Sequence, residues 1–88
     1  MDTFKSDYKR VKRKGKHLVE LHEVIAMLAK EEELPVAYSD HALHGEWAGQ
    51  RECHIEADWL LVYKIDGDTL YLVRTGTHAE LFRSWRGR

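Results

Sequence analysis

Residues 51–75 read Arg51-Glu52-Cys53-His54-Ile55-Glu56-Ala57-Asp58-Trp59-Leu60-Leu61-Val62-Tyr63-Lys64-Ile65-Asp66-Gly67-Asp68-Thr69-Leu70-Tyr71-Leu72-Val73-Arg74-Thr75. Three runs, Arg51 to Ile55, Trp59 to Ile65 and Thr69 to Thr75, are rich in β-branched, aromatic and aliphatic side chains. The triplets Glu56-Ala57-Asp58 and Asp66-Gly67-Asp68 separate them. This spells an antiparallel meander. Trp59 to Tyr63 is almost continuously apolar, as expected of a central strand covered on both faces.

Upstream the period changes. Phe4, Tyr8 and Val11 recur at spacings of four and three, which predicts an amphipathic helix over Thr3 to Lys14, capped by Thr3 and closed by Gly15. Leu18, Leu21, Ile25 and Leu28 continue the pattern in a second helix over His17 to Glu33. The connection is short enough to predict an antiparallel helical hairpin whose apolar stripes cover one face of the sheet. Glu31-Glu32-Glu33 opposes the helix dipole and Pro35 stops further winding. Residues 34–46 read as a connecting loop, and Thr77-His78-Ala79-Glu80 has the form of a capping box opening a last turn of helix.

The expected fold class is therefore α+β, a helical hairpin on a small twisted antiparallel sheet. One domain over 1–88 is expected, divided into hairpin (1–33), loop (34–46), sheet with its functional edge (47–82) and basic tail (83–88). With 43% hydrophobic and 33% charged residues the chain is not compositionally disordered. No apolar run reaches membrane-spanning length and Met1-Asp2-Thr3-Phe4-Lys5 does not open a signal peptide, so a cytoplasmic protein without membrane contact is expected. The single cysteine, Cys53, forms no internal disulfide.

Net charge is −1 but unevenly spread. Residues 1–17 carry seven Lys/Arg against two acids, residues 18–46 one against seven, and Arg83 to Arg88 holds three arginines and no acid. Lys9, Arg10, Lys12, Arg13, Lys14, Lys16, Arg83 and Arg86 are candidate contacts to an RNA backbone.

His41, His54, Asp58 and His78 fall near strand ends or in the loop before them, where a meander can gather them at one edge. Histidine is the acid/base group of neutral pH, and cleavage of RNA by its own 2′-hydroxyl needs one base and one acid but no metal or other cofactor. Arg51 or Arg74 would stabilise charge on the phosphate, and Trp59 or Phe82 would stack on a base. Two other patterns compete. Cys53 beside His54 resembles a nucleophile–base pair, but neighbours on a strand point to opposite faces, which favours an inert buried thiol. His41-x-x-His44 with His54 or His78 has the makings of a zinc site, but loop spacing of that kind is common by chance, so no metal is expected.

The run from Asp40 to Lys64 follows D-H-x-L-x-G-x-W-x-G-x-R-x-x-H-[IV]-E-x-D-W-[IL]-L-[IV]-Y-K, and Arg74 to Phe82 follows R-T-G-T-H-x-x-L-F. Together these resemble the YafQ-type toxins of the RelE superfamily. The resemblance implies a RelE-like fold and cleavage of messenger RNA at the ribosomal A site without metal, restrained by a cognate antitoxin of RelB or DinJ type. It places function on His41, His54, Asp58, Trp59, His78 and Phe82. The roles expected are His78 as general acid, Asp58 or His54 as base, and His41 at the phosphate. Two departures accompany it. The first strand of the family is missing or shortened ahead of Phe4, and the tail from Arg83 is additional. The alternative is a catalytically impaired module that binds antitoxin or ribosome without cutting.

Overall fold

The computed structural model describes residues 3–82. Arg83, Arg86 and the rest of the basic tail lie outside the described residues, as do Met1 and Asp2, where a first strand would begin.

Helix α1 (Phe4–Arg13) opens on a reciprocal cap: Thr3 Oγ1 accepts the Ser6 N–H (3.3 Å) while Ser6 Oγ accepts the Thr3 N–H (3.2 Å). It closes through Gly15, whose φ of +79° is free only to glycine. Helix α2 (Leu18–Ala29) stops four residues before the predicted end. Glu31 takes a left-handed conformation (φ +62°), and the Glu31 and Glu32 N–H groups close back onto the Leu28 and Met27 carbonyls (3.0 and 2.9 Å). The three glutamates thereby leave the negative end of the helix dipole.

The predicted loop is more structured than its sequence suggests. It contains single turns of 3-10 helix at Val36–Tyr38 and Gly45–Trp47, and a two-residue strand β1 (His41–Ala42). Strands β2 (Arg51–Glu56), β3 (Trp59–Asp66) and β4 (Thr69–Gly76) follow, and α3 (His78–Phe82) ends the described chain. The sheet is antiparallel throughout in the order β1-β2-β3-β4, four strands where three were expected. Thr77 and Glu80 form the capping box of α3, with Thr77 N–H to Glu80 Oε1 at 2.9 Å and Glu80 N–H to Thr77 Oγ1 at 3.1 Å.

Alternation divides the side chains between two faces. Cys53, Ile55, Trp59, Leu61 and Tyr63 pack against Val11, Leu21, Val24 and Leu28 of the hairpin. On the opposite face Leu60 and Val62 are covered by Leu43, Trp47, Leu81 and Phe82. The central strand is thus buried on both sides, as its unbroken apolarity requires. Among the described residues no helix is long and apolar enough to cross a membrane.

One polar contact fixes the hairpin to the sheet. Asp7 of α1 is fully buried. It accepts Arg74 Nε at 2.5 Å, Arg74 Nη2 at 3.2 Å and the Thr75 N–H at 3.2 Å, and Arg10 Nη2 lies 3.0 Å away. Removing one partner of a buried ion network costs about 3–5 kcal/mol. Asp7→Ala should therefore lower the thermal midpoint by roughly 15–30 °C in a circular dichroism melt. A fall of less than about 3 °C would show that Asp7 does not anchor the hairpin.

Candidate active site

On β2 the period of two turns Glu52 and His54 away from the helices while Cys53 and Ile55 face them. Pairing of His41 with Glu52 brings β1 alongside. Pairing of Leu60 with Gly76 brings the start of α3 to the same end of the sheet. His41, His54 and His78 consequently converge on one carboxylate. Glu52 Oε2 lies 3.4 Å from His41 Nε2, 3.5 Å from His54 Nε2 and 3.6 Å from His78 Nε2, although Glu52 itself is only 3% exposed.

Each ring is oriented from behind. His41 Nδ1 lies 2.7 Å from the Ser39 carbonyl and His54 Nδ1 lies 3.3 Å from that of Ala57. A carbonyl only accepts, so these contacts are hydrogen bonds in the tautomer with the proton on Nδ1, and in both rings Nε2 points inward. The Asp58 carboxylate accepts the His78 N–H (3.3 Å) and stands 3.6 Å from His78 Nδ1. His41 and His78 are half exposed, so the patch opens to solvent rather than closing into a cavity. Phe82 adjoins it, its ring centroid 5.9 Å from that of His78 and 5.0 Å from that of Trp47 in an edge contact.

All four histidine and aspartate candidates meet here, with Phe82 beside them. Three other candidates do not. Arg51 lies on the helix side of β2, where its Nε donates to Asp40 Oδ1 (3.0 Å) and Tyr63 Oη donates to Asp40 Oδ2 (2.6 Å). Arg74 is engaged by buried Asp7. Trp59 is in the core and donates its Nε1–H to Thr75 Oγ1 (2.9 Å). These groups are held by the fold for the property that made them candidates, a cation that seeks a carboxylate and a ring that seeks apolar cover.

The cations of α1 divide similarly. Lys9, Lys12 and Arg13 are exposed with no ion-pair partner among the described residues. Arg10, Lys14 and Lys16 are paired, Arg10 and Lys14 with Glu80 and Lys16 with Glu56. Glu52 is the member that sequence reasoning missed. The signal was its spacing of two from His54 on a predicted strand, which puts both on one face.

A metal could be held at the same place. Ligand atoms of Glu52, His54 and His78 lie within 4.8 Å of one another, three donors of the kind that bind zinc or copper. This is the one such group among the described residues, and neither His41 nor His44 of the His41-x-x-His44 pattern belongs to it.

Comparison with known proteins agrees with this architecture. The family model described as the bacterial toxin of type II toxin-antitoxin system, YafQ, matches residues 1–83. The mRNA interferase toxin YafQ of Escherichia coli (strain K12) is 39% identical over 80 residues, covering 90% of this chain and 87% of that protein. The crystal structure of the E. coli DinJ-YafQ complex is similar at 37% identity with a TM-score of 0.86, covering 93% of this chain and 92% of that one. A copper-bound mutant toxin from Helicobacter pylori is 43% identical with a TM-score of 0.88, covering 93% of each chain.

Cys53 is not a nucleophile in this setting. Burial, reinforced by the charges of Asp40 and Glu52, pushes its thiol up to about 12, so almost no thiolate exists near neutrality. Iodoacetamide at pH 8 should leave Cys53 unmodified in the native protein and alkylate it fully in urea, as read by intact mass. Rapid labelling of the native protein would contradict this burial.

Proposed function

The chain belongs to the YafQ family of type II toxin-antitoxin toxins, and from that premise we propose that it is an endoribonuclease that cuts messenger RNA on the ribosome. The observation that carries the reading is the convergence of His41, His54 and His78 on Glu52, with Asp58 against His78. An open patch of imidazoles suits a polymer substrate threaded across it, and it supplies both a proton acceptor and a proton donor near neutral pH.

His54, with Nδ1 against the Ala57 carbonyl and Nε2 turned into the patch beside Glu52, takes the 2′-hydroxyl proton on Nε2. The 2′-oxygen then attacks the adjacent phosphorus, forming a 2′,3′-cyclic phosphate. His78 gives its proton to the departing 5′-oxygen. Asp58, already committed to His78, orients that acid rather than acting as the base. His41 faces the phosphate, and Phe82 offers a ring on which a flanking base stacks. Glu52 is a buried support among the three imidazoles.

Lys9, Lys12 and Arg13 serve as the ribosomal RNA contacts, on the exposed side of α1. The partner that restrains the toxin is a cognate antitoxin, a reading supported by the DinJ-YafQ complex among its structural relatives. The protein is proposed to work in the cytoplasm, where ribosomes and message meet, as one domain over 1–88.

The donor set of Glu52, His54 and His78 favours a second reading, in which a transition metal sits at the site. Such an ion would occupy the nitrogens that acid–base catalysis needs, so the two readings respond oppositely to chelation. Primer extension on a translated message distinguishes them. Cuts that require ribosomes, persist in a chelator selective for transition metals over magnesium, and fall at least about 100-fold in His78→Gln are the expected result. Loss of cutting on chelation would favour the metal reading, and no cutting by folded wild type would favour a binding module without activity.

The electrostatic part has its own test. Binding to ribosomes should weaken with salt, and replacing Lys9, Lys12 and Arg13 together by Ala should flatten the slope of log K against log salt by about 2–3, since each phosphate contact contributes roughly 0.7–0.9. An unchanged slope would remove this face of α1 from the interface.

A further inference from the structure

The hinge Lys14-Gly15-Lys16 between α1 and α2 reaches both segments that carry His78 and Asp58. On one side Lys14 Nζ is hydrogen-bonded to Glu80 Oε2, and Arg10 Nε lies 3.3 Å from the same oxygen as an ion pair without hydrogen-bond alignment. The other oxygen of Glu80 accepts the Thr77 N–H, which fixes the first turn of α3 immediately before His78. The fit is tight. A Cβ on Gly76 (φ +152°) would come within 2.7 Å of Glu80 Oε1 and 3.0 Å of Arg10 Nη2.

On the other side Lys16 Nζ donates to Glu56 Oε1 at 3.2 Å, with Lys16 Nζ also 6.0 Å from the centre of the Trp59 ring. Glu56 and Trp59 pair across the turn that presents Asp58. Glu80 therefore stands two residues after His78 and Glu56 two residues before Asp58, and both are drawn to one three-residue hinge. Isolated exposed ion pairs do little, but here one carboxylate is shared by two cations and a backbone N–H, so its loss frees a whole turn.

We propose that Lys14 and Lys16 are positioning residues: through Glu80 and Glu56 the hinge clasps the two turns that hold His78 against Asp58, and neither lysine contacts RNA. The proposal rests on the reading of His78 and Asp58 as part of the cleavage site. It assigns an internal role to two cations that composition alone would count toward RNA binding. The two roles predict opposite effects from one substitution. If Lys14 binds phosphate, Glu80→Gln removes a competing carboxylate and lowers KM. If it is a clasp, Glu80→Gln loosens α3 and lowers kcat.

The experiment measures kcat and KM for message cleavage on purified ribosomes for the wild type, Glu80→Gln, Glu56→Gln, Lys14→Met, Lys16→Met and the Lys14→Met/Glu80→Gln double variant. The expected result is a fall in kcat of about fivefold for each, the size of effect of a lost cap, with KM within about twofold. The double variant should be no worse than the poorer single one, since the two residues act on one contact. Lys14→Arg should restore kcat, and circular dichroism should show every variant folded.

A second readout does not depend on cleavage. The imidazole resonances of His78 should move in Glu80→Gln and Lys14→Met and stay in place in Lys5→Met, which alters an exposed cation elsewhere on α1. Unchanged kcat with lowered KM in Glu80→Gln, or unmoved His78 resonances, would overturn the clasp. If wild type fails to cut, the activity reading falls while the resonances still decide whether the hinge sets His78.

Discussion

Asp7 has no exposed surface, yet it lies on the most basic stretch of the chain. A carboxylate is tolerated there because Arg74, Arg10 and the Thr75 N–H all turn toward it. Arg74 and Thr75 lie at the end of β4, and the residues that follow are Gly76, Thr77 and His78. The contact that joins helix to sheet therefore also fixes the strand end that leads into the proposed acid. Trp59 adds a second tie through Thr75 Oγ1, whose own proton goes to the Leu60 carbonyl at 2.7 Å. Position at the functional edge is inherited from this buried knot, which includes no residue of the histidine cluster.

The parts of the fold readable from sequence were those in which one pattern runs long enough to exceed chance. Helices α1 and α2 show apolar spacings of three and four, and the central strand shows an unbroken apolar run. The caps at Thr3 and Thr77 are local chemistry and were visible as such. Strand β1 was not readable because two residues carry no periodicity. It is held instead by its ladder to Glu52 and Arg51 and by Asp40, the preceding residue, which Arg51 of β2 and Tyr63 of β3 grip. The end of α2 was overestimated because glutamates favour helix in general, whereas these three meet the wrong end of a dipole and a left-handed exit at Glu31.

At the site, residue type was informative for histidine and misleading for arginine and tryptophan. His41, His54 and His78 need only reach a solvent-facing edge, and strand ends deliver them there. An arginine or a tryptophan is equally the residue that a small core recruits, and in an 88-residue chain the core has first claim. Trp59 went into the core, while Arg74 was drawn to buried Asp7 and the exposed Arg51 to Asp40. Charge counts mislead for a related reason, since Arg10, Lys14 and Lys16 are matched by Glu80 and Glu56 from distant parts of the sequence.

The same logic explains why register matters more here than any single side chain. On β2 one face carries Cys53 and Ile55 into the core and the other carries Glu52 and His54 to the edge. A slip of one residue would bury His54 among aliphatic side chains and expose Ile55, exchanging core and chemistry at once. Pairing with β3 is regular from Arg51 to His54 and shifts only between His54 and Glu56, where a bulge lets the strand reach the turn that presents Asp58. The irregularity thus falls just beyond the last pair on which the histidine depends. Selection for a packed helix face and selection for a working edge act on the same register, so the core of this sheet and its candidate active site constrain one another residue by residue.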